Sequence, residues 1–363
     1  QRQMCIRDRT NSYFGRSISL SSDGTILAVG SSHFDVSGTN QEGAAFVYQY
    51  NTSSSSWAPL GGRIDYVNTN DITSQISSYF GYSVSLSSDG TILAVGSTHY
   101  SLSGANNQGA AFVYQYNASS SSWVTLGGQI DYVNTNGITD TGNSSLFGRS
   151  ISLSSDGTIL AVGALTFDVT SGQTYDEGAV FVYNLSTFTQ TTHGTDITST
   201  SGYTITLSAD APQTLKKGMT VSGTNIPSNS FIATITSQSQ FAINNAIPST
   251  TTISAGTTVT FTGYVPLGEK IDYINTNGIP YTEDSYYAIS IRLSSDGTIL
   301  AVGASHVNVN SSDDVGAAFV YSLSQSSLHA ENKLKITGTN GEHFFDTATT
   351  FTQTTHGTDI TST

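Results

Sequence analysis

The chain has 363 residues, of which 37% are hydrophobic and only 10% charged, and its net charge is −14. With 12 Lys and Arg against 26 Asp and Glu it has no basic patch for a phosphate backbone, which excludes nucleic acid and favours cations or basic protein faces. Its single cysteine, Cys5, excludes an internal disulfide framework, and no apolar run approaches the ~18 residues of a membrane helix, so no membrane insertion is expected.

Residues 1–12 read as a non-native or disordered leader. Gln1–Arg9 hold three of the 12 basic residues, share nothing with the later pattern and resemble a translated adapter, so the chain is read as a fragment. From residue 13 a repeat takes over. The decapeptide SSDGTILAVG stands unchanged at Ser21–Gly30, Ser87–Gly96, Ser154–Gly163 and Ser294–Gly303, with spacings of 66, 67 and 140 residues. Upstream of each copy lie Phe14-Gly15, Phe80-Gly81, Phe147-Gly148 and Tyr287-Ala288. Downstream come Gly43–Tyr48, Gly109–Tyr114, Gly178–Tyr183 and Gly316–Tyr321, and then an Ile-Asp-Tyr stretch at Ile64, Ile130 and Ile271.

Each period predicts four short strands. Ser17–Leu20 alternates polar and apolar residues, as a strand with one buried face does. Ser22-Asp23-Gly24 turns the chain, with Gly supplying the positive φ of a tight hairpin. Thr25–Val29 and Ala44–Tyr48 are apolar on both faces, and a fourth strand runs from Trp57 towards Ile64. Such a sheet is not stable alone, and radial stacking of four-stranded sheets is a propeller. The expected fold is all-β, a partial β-propeller of four antiparallel blades with an inserted β module. Blade 1 is residues 13–78, blade 2 is 79–145, blade 3 is 146–185 with 263–286, and blade 4 is 287–345.

Between the halves of blade 3, residues 186–262 lose the repeat but keep strand signals at Tyr203–Leu207, Met219–Val221, Phe231–Ile235, Phe241–Ile243 and Thr257–Phe261. This reads as a small β module hung on a loop. The Thr-rich tail, residues 346–363, repeats it in part: Thr350–Thr363 equals Thr187–Thr200, either the start of a second module or an artefact of joined sequence.

Phe-Gly at the head of the first strand and Leu-Ala-Val-Gly-Ala at the end of the second (Leu160–Ala164, Leu300–Ala304) resemble the FG-GAP repeat of integrin α heads. The resemblance implies a ring of about seven blades with four visible here, a secreted or cell-surface location, a role in adhesion, and ligand binding on the face that carries the loops joining the second strand to the third and the fourth strand to the next blade. Calcium-binding members carry DxDxDG between the first two strands. Here Asp23, Asp89, Asp156 and Asp296 stand alone, which disfavours calcium and leaves each Asp to bond its own turn. No cofactor or metal is expected.

His33, His99 and His306 share a register, with Thr166 in blade 3, and anchoring of their loops is favoured over metal binding. The loop-face binding candidates are Asp65, Tyr66, Asn68, Asn70, Asp131, Tyr132, Asn134, Asn136, Asp272, Tyr273, Asn275 and Asn277. Tyr beside amides and carboxylates suits a sugar or a protein, while the alternative is that Asn and Asp cap turns and Tyr packs between blades. No catalytic residue stands out. The leading expectation is a noncatalytic propeller, not an enzyme, binding protein or glycan; a propeller-scaffold hydrolase or lyase, and a structural repeat of a large surface protein, are the alternatives. A partial ring would also self-associate.

Overall fold

The computed structural model describes residues 12–36, 41–65, 77–101, 107–133, 138, 144–168, 176–192, most of 194–272, 285–307 and 316–323, with backbone alone for 331–339 and 342–343. The described residues form strands and turns and no helix. Blade 1 is a sheet of β1 (Phe14–Leu20), β2 (Ile26–Ser31), β3 (Ala44–Asn51) and β4 (Ser56–Pro59), paired antiparallel in that order. Blade 2 repeats it as β5 (Phe80–Leu86), β6 (Ile92–Ser97), β7 (Ala110–Asn117) and β8 (Ser122–Thr125).

Blade 3 opens with β9 (Phe147–Leu153), β10 (Ile159–Ala164) and β11 (Ala179–Thr191). The inserted segment then contributes β12 (Ile197–Thr198), β13 (Thr204–Thr206), β14 (Thr220–Gly223), β15 (Ile232–Ser237), β16 (Gln240–Ile243) and β17 (Thr252–Ile253), before β18 (Thr258–Pro266) closes the blade. Blade 4 consists of β19 (Tyr287–Leu293), β20 (Ile299–Ala304), β21 (Ala317–Ser322), β22 (Glu331–Thr339) and the short β23 (Glu342–His343). The protein is a partial β-propeller.

The insertion is less a bead on a string than an extension of the blade. β11 and β18 pair without a break from Tyr183↔Pro266 to Thr191↔Thr258, and β14 adds to the free edge of β18. Beyond the blade the module closes its own core around Phe188, Met219, Ile232, Phe241, Val259 and Phe261.

The first strand of each blade is innermost, and β1, β5, β9 and β19 touch in that order around the axis. The Phe-Gly pair forms a bulge: the β1–β2 register shifts between Phe14 and Ser17, and Gly15, Gly81 and Gly148 have φ of 88°, 83° and 87°. The close approach of neighbouring blades explains the second glycine of the motif set. A Cβ on Gly30 would lie 2.0 Å from the Gly81 carbonyl oxygen, and one on Gly96 would lie 2.1 Å from that of Gly148. Backbone meets backbone there, so no side chain fits.

The one-sided burial expected of the first strand does not hold in the interior blades, where Ser83, Ser85 and Ser152 are buried with the apolar residues. Their hydroxyls work between blades. Ser17 and Ser19 accept from the backbone N–H of Val84 and Leu86 at 3.0 Å each, Ser85 from Leu153 and Ser152 from Leu293. At the hairpins a backbone string crosses the array as Ser22 N–H to Ser88 O, Ser88 to Ser155 and Ser155 to Ser295, each 2.8 Å. The arc is open at both ends. Ile18 and Leu20 of blade 1 are 64% and 54% exposed where Val84 and Leu86 of blade 2 are 6% and 7%, and Ala301 and Ala318 lie exposed on the far side of blade 4.

Candidate functional site: the mouth of the inner-strand channel

The candidates along the Ile-Asp-Tyr stretch divide. Asp65, Asp131 and Asp272 are fully buried, and Tyr132 is buried among Phe147, Phe167 and Phe181. Arg63 meets Asp65 at 2.8 Å, Gln129 donates to Asp131 at 2.8 Å, and Lys270 meets Asp272 at 2.6 Å. These four positions are therefore interior groups and offer no surface to a ligand. The cause is the antiparallel bridge that each preceding Ile makes to the third strand (Ala45↔Ile64, Ala111↔Ile130, Val180↔Ile271), which draws the following Asp under the sheet. Tyr66, Asn68, Asn70, Asn134, Asn136, Tyr273, Asn275 and Asn277 lie outside the described residues, as do Cys5 and the tail.

Asp23, Asp89, Asp156 and Asp296 each bind their own hairpin. Ser21 Oγ donates to Asp23 Oδ1 at 2.6 Å, and the Thr25 N–H donates to it at 2.9 Å, with the same pattern at Asp89, Asp156 and Asp296. At Asp23 and Asp296 these hydrogen bonds hold the carboxyl below its ordinary range, and Asp296 is lowered to about 2. Asp89 and Asp156 are also lowered, with burial opposing the hydrogen bonds.

The histidines lie at the end of the second strand, on the loop side, and do not converge on one point. Each shares a hydrogen bond between its Nδ1 and its neighbour's hydroxyl: Ser32 for His33 (3.0 Å), Thr98 for His99 (2.9 Å) and Ser305 for His306 (2.6 Å). Each also donates its backbone N–H to the chain entering the same blade, His33 to Ser12, His99 to Ser78 and His306 to Ser285. They anchor the loop, and they alternate with tyrosines. Tyr13 meets His33 edge-on at 4.3 Å, His33 stacks on Tyr79 at 4.4 Å, and Tyr79 meets His99 at 4.5 Å. Blade 4 keeps one step, Tyr286 to His306 at 4.8 Å, while Leu146 and Thr166 break the ladder in blade 3. Burial is the first cause that lowers His33 and His99 from the ordinary imidazole range; the Arg16 charge adds to it at His33, and His33 adds to it at His99. Burial therefore favours the neutral form of both rings.

Beside this ladder, one turn of the bulge further in, stands a group that the sequence reading passed over. The Arg16 and Arg149 guanidinium carbons lie 4.3 and 4.6 Å from the centre of the Tyr82 ring, and Arg16 donates to the Tyr82 hydroxyl. A signal for it existed. The residue after Phe-Gly is Arg16, Tyr82, Arg149 and then Ile289, a position that varies while its surroundings repeat. At the opposite end of the same strands, Ser19, Ser88, Ser155, Ser295 and Arg292 line a cavity of about 230 Å³.

No family model matches the chain, and no curated protein does. Among solved structures it is similar to a periplasmic gluconolactonase from Pseudomonas aeruginosa (15% identity, TM-score 0.34, covering 88% of this chain and 71% of that one). It is also similar to a putative 6-phosphogluconolactonase from Bacteroides uniformis (11%, TM-score 0.30, 88% and 70%). A third is the β-propeller domain of the Trilobed protease from Pyrococcus furiosus, described as having an open velcro topology (9%, TM-score 0.31, 90% and 72%). These likenesses are of fold. The expectation that the chain is not an enzyme does not stand: solved structures of this propeller kind include proteins named as lactonases, and a fold of itself excludes no catalysis.

Proposed function

We propose that this FG-GAP-like propeller, secreted or displayed at a cell surface, binds a hydroxylated ligand of the glycan class at the loop-side mouth of its inner-strand channel. The observation that carries the reading is the Tyr13–His33–Tyr79–His99 ladder, which sets aromatic and imidazole rings side by side across the boundary of two blades. Rings of this kind stack on the apolar faces of sugars while hydroxyl and ring nitrogen meet sugar hydroxyls. The resemblance in motif to integrin α heads supports the loop side as the binding side. Titration with neutral oligosaccharides tests the reading. Binding that falls about tenfold or more in Tyr79→Ala, roughly the 1.4 kcal/mol of a lost stacking partner, is the expected result. Undiminished binding in that variant would move the site elsewhere.

A hydrolase is the second reading: burial shifts His33 and His99 towards the unprotonated form that a general base needs, and both lie on the loop side. A panel of sugar lactones and esters tests this, with His99→Asn expected to abolish turnover. Absence of turnover across the panel removes the hydrolase and leaves the binding role.

A further inference from the structure

Six Lys and Arg side chains fall within the described residues. Arg63 and Lys270 are spent on the buried Asp65 and Asp272, and Lys216 belongs to the inserted module. The other three, Arg16, Arg149 and Arg292, all stand on innermost strands. Those strands read FGRSISL, FGYSVSL, FGRSISL and YAISIRL, without a single Asp or Glu, in a chain whose net charge is −14. Among the described residues of this acidic protein, three of the four basic side chains outside those ion pairs stand on the innermost strands.

Arg16 and Arg149 are the closest of these. Both guanidinium groups rest on the one Tyr82 ring, and among the described residues neither has an ion-pair partner. Arg149 is half-buried, and burial is the main cause that lowers it from the ordinary guanidinium value, with Tyr82 offsetting part of that effect and Arg16 adding to it. Two like charges set on one ring repel each other, and the arrangement is relieved by an anion within reach of both. Guanidinium forks suit a planar or tetrahedral oxyanion, which each grips with paired N–H donors. The Tyr82 ring holds the two forks in place before any ligand arrives, so little side-chain freedom is lost on binding. The cluster also adjoins the ladder, since Arg16 donates its backbone N–H to the Tyr13 carbonyl at 3.0 Å and Tyr82 donates to that of Tyr79 at 3.2 Å.

We propose that Arg16, Tyr82 and Arg149 form an anion-recognition site that takes a carboxylate or sulfate group of the ligand bound at the channel mouth. This rests on the glycan reading above and narrows it to acidic saccharides. Calorimetric titration of the full chain at low ionic strength compares five probes: a neutral glucose oligomer, a glucuronate oligomer, a sulfated glucose oligomer, glucuronate monomer and inorganic sulfate. The charged probes should bind about tenfold or more tightly than the neutral one, as hydrogen bonds between charged groups imply. Arg16→Gln and Arg149→Gln should remove that preference, and Tyr82→Phe should reduce it by loosening Arg16. Arg292→Gln, at the other end of the channel, should leave it unchanged. Arg16 is exposed, so its variant folds even where that of Arg149 does not. Whether carboxylate or sulfate binds more tightly names the source of the charge. Equal binding of neutral and charged oligomers overturns the anion site and leaves the glycan reading standing. Binding of glucuronate monomer and inorganic sulfate with no affinity for the neutral oligomer keeps the anion site and overturns the glycan reading. Absence of saturable binding by any charged probe, or a preference that survives in the Arg16→Gln/Arg149→Gln pair, overturns the proposal.

Discussion

Blades 1 and 2 carry the same decapeptide and nearly the same flanks, yet their residues live in different environments. Val84 and Leu86 are buried against blade 1, while Ile18 and Leu20 at the matching positions face outward. Trp123 is buried and donates its indole N–H to the Leu60 carbonyl of the preceding blade at 2.9 Å, whereas Trp57 is only half-buried. Phe80 and Phe112 are fully buried and Phe14 and Phe46 are not. The difference lies in the neighbour on one side. A blade is half of two interfaces, and its sequence is written for both.

The largest expected effect comes from comparing matched core leucines. Leu93→Ala in blade 2 should cost roughly 2–5 kcal/mol, because its site is closed on both sides and leaves a cavity. The matched Leu27→Ala in blade 1 should cost less than half as much, since Leu27 is partly exposed already. Denaturant melts read both, and equal costs would mean that the outer face of blade 1 is covered in solution.

Next in size is association. The exposed Ile18 and Leu20 form one free face, and Ala301 and Ala318 lie on the other. The chain should self-associate at tens of micromolar in sedimentation runs. Ile18→Lys with Leu20→Lys should weaken that association by about 1–2 kcal/mol per side chain removed from the contact. A compact monomer before any substitution would require a closed ring of fewer blades.

A smaller effect sharpens the comparison at the bulge. Blade 4 carries Ala288 at φ 70°, where the other blades have glycine. Left-handed backbone costs an alanine about 1–2 kcal/mol, and a buried methyl returns about 0.8, so Ala288→Gly should stabilise by less than about 1 kcal/mol. The reverse change in blade 2, Gly81→Ala, would set a Cβ 2.3 Å from the Ala44 carbonyl oxygen and should destabilise strongly in the same melts.

The smallest effect is the acid limit of the hairpins. The folded values of Asp23, Asp89, Asp156 and Asp296 lie below the unfolded one, so their contribution is present above the unfolded value of 3.8 and is lost as pH falls towards the folded values, about 2 for Asp296. Melting temperature should therefore drop below about pH 4, and Asp296→Asn should flatten that drop slightly more than Asp89→Asn, because burial offsets more of the hydrogen bonds' lowering at Asp89. A profile unchanged by both substitutions would show that the turns do not set the acid limit.

The repeat made the architecture readable, because a four-strand unit apolar on both faces has one kind of stable arrangement, a stack of copies. The decapeptide, the Phe-Gly pair and the inserted strands at Phe231–Ile235 and Phe241–Ile243 all signalled their positions through local pattern. Pattern stopped short where a residue's partner lies one period away. Ser85 alternates with apolar residues as a surface serine would, and only the approach of Leu153 shows it to be an interface acceptor at 3.0 Å. Asp65 and Asp131 look like display residues beside Tyr and Asn, and only the bridge of the preceding Ile to the third strand draws them inside. Arg16, Tyr82 and Arg149 are 66 and 67 residues apart in sequence and meet because equivalent positions of successive blades converge at the axis. The sequence by itself determined the blade, since strand period and turn chemistry act within a few residues. What each blade's faces meet, and which side chains the axis brings together, was decided by the tertiary structure, since those contacts exist only between copies.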